Sequence, residues 1–199
     1  VVGYADADGE PLEQTLVRAA EVTRVLAFAS VALCGWSAGC LRGIRQRLRD
    51  GAAPTAVLAI DGCHADMPPA QWQIDVWRDL AAGARVGKRL FVATCTQQVY
   101  VESLPGAERY LSTVSTLERV TGWALRPGGA LDAPTERHDG ELHVYSYASA
   151  AIDGEAHTAQ ALTVLPAMLR KHLRPWLAAS SADPDDRVTY PGEPPPPTV

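Results

Sequence analysis

The sequence predicts an α/β fold, a three-layer sandwich with a short, mostly parallel sheet and helices on both faces. Three observations predict it. Short apolar runs alternate with stretches of helical periodicity five times along the chain. One run, Ala56-Val-Leu-Ala-Ile60, is continuously apolar, as expected of a strand buried on both faces of a parallel sheet. A tight turn, Gly35-Trp-Ser-Ala-Gly39, joins one such run directly to a helical pattern.

Taken in order, Val1 to Ala5 reads as a first strand running into the polar turn Asp6-Ala-Asp-Gly9. Pro11 suits a first helical turn, and Leu12, Leu16, Ala19, Ala20, Thr23 and Leu26 line one helical face. Val31 to Cys34 is the strand before the turn. Leu41, Ile44 and Leu48 then carry a helix that Gly51 and Pro54 stop. The strand 56–60 ends in the polar cluster Asp61-Gly-Cys-His-Ala-Asp66. Pro68-Pro69 opens a helix with Trp72, Val76, Trp77 and Leu80 as its buried stripe, ended by Gly83 or Gly87. Arg89 to Thr94 is the next strand. From Gln97 to Gly140 the pattern weakens to one helix, Leu111 to Val120, and a loop over 126–134. Leu142 to Tyr147 is a clear strand, 152–157 a loop, and Thr158 to Leu177 a helix that Pro166 should kink or restart. The domain is therefore expected over 1–178. The stretch 179–199, ending Glu-Pro-Pro-Pro-Pro-Thr-Val, is a Pro-rich tail or linker.

A net charge of −5 gives no support for nucleic acid or an anionic membrane surface as partner. No apolar run reaches membrane-spanning length, so no membrane span is expected. No signal peptide is visible from Val1 onward, and the compartment stays open. At 199 residues the chain buries a sizeable core without staples, and four cysteines at these spacings make neither a zinc site nor a disulfide framework. They read as small buried hydrophobes. A metal set drawn from Cys63, His64, Asp66 and Cys95 lacks a ligand spacing. No cofactor and no metal are expected.

The chemistry centres on Ser37. A serine held on a strained strand-to-helix turn between small residues is the setting of a nucleophile elbow, and both flanking glycines suit close helix–strand packing. A serine hydroxyl is a weak nucleophile until a base takes its proton and an acid orients that base. Among five histidines, His172 sits within a helix, His143 on a strand and His138 in a loop. His64 lies only three residues past Asp61. His157, between the last strand and the last helix, is the favoured base. For the acid, Asp61 stands at the end of strand 56–60. Asp66, Glu102 and Asp153 are reserves, and a cap on the following turn is the competing role for Asp61. The backbone N–H of Ala38, with a second from the loop at Ala5 and Asp6, is expected to form an oxyanion hole. Trp36, His64 and Tyr100 are candidates for lining the substrate site, with core packing as the competing role for Trp36 and Tyr100.

On Gly35-Trp-Ser-Ala-Gly39, the strand–helix order and the position of His157, the chain resembles a minimal α/β-hydrolase of the small, cap-less lipase, cutinase and phage-type esterase branch. The resemblance covers roughly 1–177. It implies a serine hydrolase cleaving a small-molecule, lipid or cell-wall ester through an acyl-enzyme on Ser37. Acyl transfer or thioester cleavage by the same residues, and a non-catalytic binding module on the same fold, are the alternatives. The chain departs from the family in three ways: one helix separates its first strand from the elbow strand, no HGG-type oxyanion motif is present, and the acid stands one strand early. The Pro-rich end resembles the linkers of modular wall-acting proteins, which implies a C-terminal wall-binding domain beyond it.

Overall fold

A computed structural model describes residues 12–24, 28, 30–97, 110–129, 133–148 and 154–180. The expected first strand over 1–5 and the tail beyond 180 lie outside them. The fold is α/β, built on a five-stranded mixed sheet that is mostly parallel.

Helix α1 (Leu12–Thr23) leads to β1 (Ala32–Trp36). After the Ser37 turn, a π-helical segment, Cys40–Arg45, runs into α2 (Gln46–Arg49). Then come β2 (Ala56–Ile60), the two-residue β3 (Ala65–Asp66), α3 (Gln71–Arg85) and β4 (Leu90–Thr96). They are followed by β5 (Tyr110–Leu111), α4 (Thr113–Thr121), β6 (Thr135–Asp139) and β7 (Leu142–Tyr147). A helical stretch over 154–180 closes the described chain. It starts with α5 (Gly154–Ala159), passes through α6 (Leu165–Met168) and ends with α7 (Arg174–Ser180), with π-helical segments between them.

The main sheet has the order β1-β2-β4-β7-β6. The first four strands are parallel, and β6 pairs antiparallel with β7 across a two-residue turn in which Gly140 takes φ +58°. That left-handed conformation suits a tight hairpin. Each parallel step moves the same way along the sheet, so the residues after β1, β2 and β4 gather at one edge, and the chain after β7 returns to it.

Strand residues alternate between two core clusters, as a period of two requires. Val57, Ala59, Phe91, Ala93, Leu142 and Val144 pack with Ile44, Ile74, Trp77, Leu80 and Leu117 from the helices between the strands. Ala56, Leu58, Ile60, Leu90, Val92, Tyr145 and Tyr147 pack with Val164, Met168 and Leu173 from the last helical stretch. β2 is buried along its whole length, in keeping with its unbroken apolar run.

Several expectations are corrected. The buried stripe of α3 is Gln73, Ile74, Trp77, Leu80, Ala81 and Ala84. Trp72 instead lies under the guanidinium groups of Arg45 and Arg49, 5.2 and 4.4 Å from its ring centroid. α3 ends at Arg85, just before Gly87 at φ +73°, whereas Gly83 lies inside it. The hairpin strand β6 stands where no strand was expected. All five of its residues are exposed, so it carries no apolar alternation to read, and its charges suit a sheet edge. His157 is not in a loop: helix begins at Gly154 and places it on the first turn. The restart expected at Pro166, by contrast, is present. The segment Gln160–Val164 widens to π geometry just before it, and Pro166 enters at the start of α6, where a missing N–H matters least. Of the four cysteines, Cys40, Cys63 and Cys95 are buried and Cys34 is exposed.

Candidate active site

β1 ends at Trp36, and the next residue turns the chain. Ser37 has φ +52°, a left-handed conformation rare for a residue with a side chain. Such a residue costs about 1–3 kcal/mol, and outliers of this kind concentrate at functional sites. The turn is held at both ends: Ser37 N–H donates to Ile60 O at 3.0 Å, and Cys40 N–H donates to Ser37 O at 2.9 Å.

The other residues converge on Ser37 from the ends of β2 and β4 and from the first turn of α5. His157 Nε2 lies 2.8 Å from Ser37 Oγ, and His157 Nδ1 lies 2.7 Å from Asp61 Oδ2. Asp61 follows β2 directly, is 2 % exposed, and is itself left-handed at φ +43°. Its carboxylate is further held by Thr96 at the end of β4. Thr96 N–H donates to Oδ1 at 3.0 Å, and Thr96 Oγ1 donates to Oδ2 at 2.8 Å. The Asp61 N–H donates in turn to Thr94 O, 3.1 Å away. A buried carboxylate with two donors from one residue and an imidazole on its open side is compensated as a buried charge must be.

Trp36 fixes His157 from the side. Its indole N–H donates to His157 O at 2.9 Å, and the two rings lie 4.9 Å apart at 34°. Deeper on the same helical stretch, Gln160 Oε1 accepts from Thr94 Oγ1 at 2.7 Å. The histidine is thus tied to β1, β2 and β4 at once. The arrangement orders hydroxyl, imidazole and carboxylate so that the imidazole can take the hydroxyl proton while the carboxylate holds the opposite ring nitrogen.

Ala38 begins the helix after the turn, where backbone N–H groups have no intrahelical acceptor. Ala5, Asp6 and Tyr100, and the reserve acids Glu102 and Asp153, lie outside the described residues. The remaining reserve, Asp66, is engaged elsewhere, its Oδ2 accepting from Gln73 Nε2 at 2.7 Å. His64 is buried, and burial first, then the charges of His157 and Arg45, lower it to about 4, against the pull of Asp61. It is a neutral group beside the carboxylate–imidazole pair, with its backbone O accepting from Arg45 Nη1 at 2.8 Å. The set Cys63, His64, Asp66 and Cys95 does not gather around a common point. Among the described residues the one grouping of three ligand-bearing side chains is elsewhere, at Glu136, His143 and His172. Burial also raises the Cys63 thiol, and raises Cys95 to about 12, so both remain protonated packing groups.

Thr96 is the residue that sequence reasoning misses. The end of β4 carries no carboxylate and so looks empty. Its alternation Thr94-Cys95-Thr96 is the available signal, since it sets two hydroxyls on one side of a strand end.

The glycines around the turn are not equivalent. A Cβ on Gly35 would meet Cys40 N and Ile44 Cδ1 at 3.1 Å, whereas one on Gly39 would meet nothing within 4 Å. Close packing therefore accounts for Gly35 but not for Gly39, which corrects the expectation for the motif. The tightest position lies outside it: a Cβ on Gly62 would fall 2.6 Å from Cys40 Cβ and 2.7 Å from Ser37 O. Gly62→Ala is expected to lower stability by about 1–3 kcal/mol in urea denaturation. Gly39→Ala, at a helical φ of −60°, is expected to be neutral or to stabilise by up to about 1 kcal/mol.

Comparison of the chain with protein-family models, with curated proteins and with solved structures finds no match.

Proposed function

We propose that the protein is a serine hydrolase that cleaves a carboxylic ester through an acyl-enzyme on Ser37, on a minimal α/β-hydrolase fold with helices on both faces of its short sheet. The observation that carries this reading is the hydrogen-bonded chain from Ser37 Oγ through His157 to Asp61, standing on a left-handed serine. Ser37 and Asp61 follow two different strands and His157 lies on a helix far along the chain, so local sequence alone does not bring them together.

In this mechanism Ser37 Oγ attacks the ester carbonyl as its proton passes to His157 Nε2. The resulting imidazolium is stabilised by Asp61, which stays ionised. The oxyanion forms near the Ala38 N–H at the start of the helix, where the helix dipole favours negative charge. His157 then gives its proton to the departing alkoxide, and the acyl group remains on Ser37. Water attacks that ester with His157 as base, releasing the acid and restoring the hydroxyl. Trp36 and Thr96 position the histidine and the carboxylate.

A fluorophosphonate probe tests the reading. Wild type is expected to form a stoichiometric covalent adduct at Ser37, seen by intact mass and peptide mapping, and to turn over p-nitrophenyl esters. Ser37→Ala is expected to do neither. A folded wild type that neither labels nor turns over any short-chain ester would instead mark a binding module.

A further inference from the structure

A second group of titratable side chains lies at the amino end of β7, whereas Ser37 and Asp61 follow the carboxyl ends of their strands. The acyl-transfer reading makes no use of it. Strand register builds it: β6 pairs with β7 so that Glu136 faces Tyr145 and His138 faces His143. Residues two apart share a face of a strand, so His143 and Tyr145 point the same way. Tyr145 packs with Val164, Met168 and Leu173, so this is the face that meets the last helical stretch. That stretch supplies His172, whose ring lies 4.2 Å from His143 and whose Nε2 lies 2.7 Å from Tyr145 Oη. Tyr145 Oη donates to Glu136 Oε1 at 2.7 Å.

We propose that Glu136, His143 and His172 form a binding site for a divalent transition-metal ion of the zinc class, which ties the β6–β7 hairpin to the last helical stretch. One ligand atom from each lies within 4.8 Å of the others. Tetrahedral zinc holds such atoms roughly 3.3 Å apart, so closure requires rotamer adjustments on the order of 1 Å. Two imidazoles and a carboxylate make a three-ligand set that leaves one position for water or for Tyr145 Oη.

Two further features point the same way. His143 Nδ1 is buried and has no hydrogen-bond partner among the described residues, and Glu136 Oε1 stands 3.5 Å from it. At that distance the ring nitrogen is within ion-pair reach of the carboxylate but makes no hydrogen bond to it, so the position has room for a closer partner such as a metal ion. The site also already attracts a cation. Lys171 Nζ donates to Glu136 Oε2 at 3.0 Å and to Tyr145 Oη at 2.7 Å, and sits 4.8 Å from the Tyr145 ring centroid. The Lys171 side chain is 53 % exposed, so it can swing into water and yield its place to a divalent ion. The proposal stands independently of the chemistry at Ser37.

The full chain, stripped with EDTA and then freed of the chelator, is titrated with Zn²⁺ by calorimetry and with Co²⁺ by visible absorption. One ion per chain is expected, with a rise in melting temperature. Glu136→Gln changes an exposed edge-strand residue and is expected to retain the fold, which thermal melting checks. It and His172→Ala are each expected to weaken binding about tenfold or more. Lys171→Met is expected to strengthen it, because the competing ammonium is gone. Failure of wild type to bind one ion, or binding left unchanged in either Glu136→Gln or His172→Ala, overturns the proposal. So does an ion lost in His157→Ala but kept in these two variants.

Discussion

His157→Ala is expected to lower ester turnover by about 10⁴-fold or more while leaving a folded protein. Both ring nitrogens and the backbone O of this residue are engaged. Nε2 meets Ser37 Oγ, Nδ1 meets Asp61 Oδ2, and the backbone O accepts from Trp36. Alanine keeps the third contact and removes the first two, so the effect reads the ring alone. Ser37 then lacks a base, and its hydroxyl reverts to a weak nucleophile. Asp61 keeps its two bonds from Thr96 but loses the group on its open side, so a modest stability loss accompanies the kinetic one. Steady-state kinetics on p-nitrophenyl acetate, with thermal melting alongside, separates the two effects. Retained turnover would place the base elsewhere. His64 is the nearest other histidine in role, but it is buried and neutral beside the same carboxylate.

How much of this is legible in the sequence depends on whether a residue's role follows from its own neighbours. The turn at Ser37 is readable because an apolar run, a tight turn and a helical period follow one another within 31–48. The position of Asp61 is readable because the strand before it is unbroken and apolar. His157 is placed by sequence in the correct connection, but in a loop. The stretch Ile152-Asp-Gly-Glu resembles a turn, and nothing local shows that helix begins at Gly154. β6 is invisible because an exposed edge strand has no buried face to create alternation. The role of Thr96 depends on register: only the pairing of β4 beside β2 tells that its hydroxyl meets a carboxylate from the neighbouring strand. The Glu136, His143 and His172 group is hidden for the same reason, being assembled by an antiparallel pairing and a helix that packs across it. Gly62 shows the limit of motif reading. Its steric role is stricter than that of Gly35, Gly39 has none, and Gly62 lies at another strand's end.

Asp61→Asn is expected to reduce turnover by about 10⁴-fold with little change in stability. The substitution keeps shape and removes charge. The carbonyl oxygen of the new carboxamide can still accept from Thr96 N–H, which leaves the amide NH₂ facing His157 Nδ1. An NH₂ group only donates, so Nδ1 must become the acceptor and the ring proton moves to Nε2. An Nε2–H cannot take the proton of Ser37, and the base is held in the wrong tautomer at an undisturbed distance. Thr96→Val provides the graded control. It removes the Oγ1 bond to Oδ2 but leaves the backbone N–H bond to Oδ1, so the carboxylate keeps its charge and loses part of its aim. A loss of about tenfold is expected, because a hydrogen bond to a charged group is worth about 1.5–3 kcal/mol and only part of that bears on orientation. If Asp61 served only to cap the turn after β2, both kinetic effects would vanish. Asparagine caps as well as aspartate does, so Asp61→Asn would be nearly silent in turnover, and Thr96→Val, which acts only through that side chain, would be silent too.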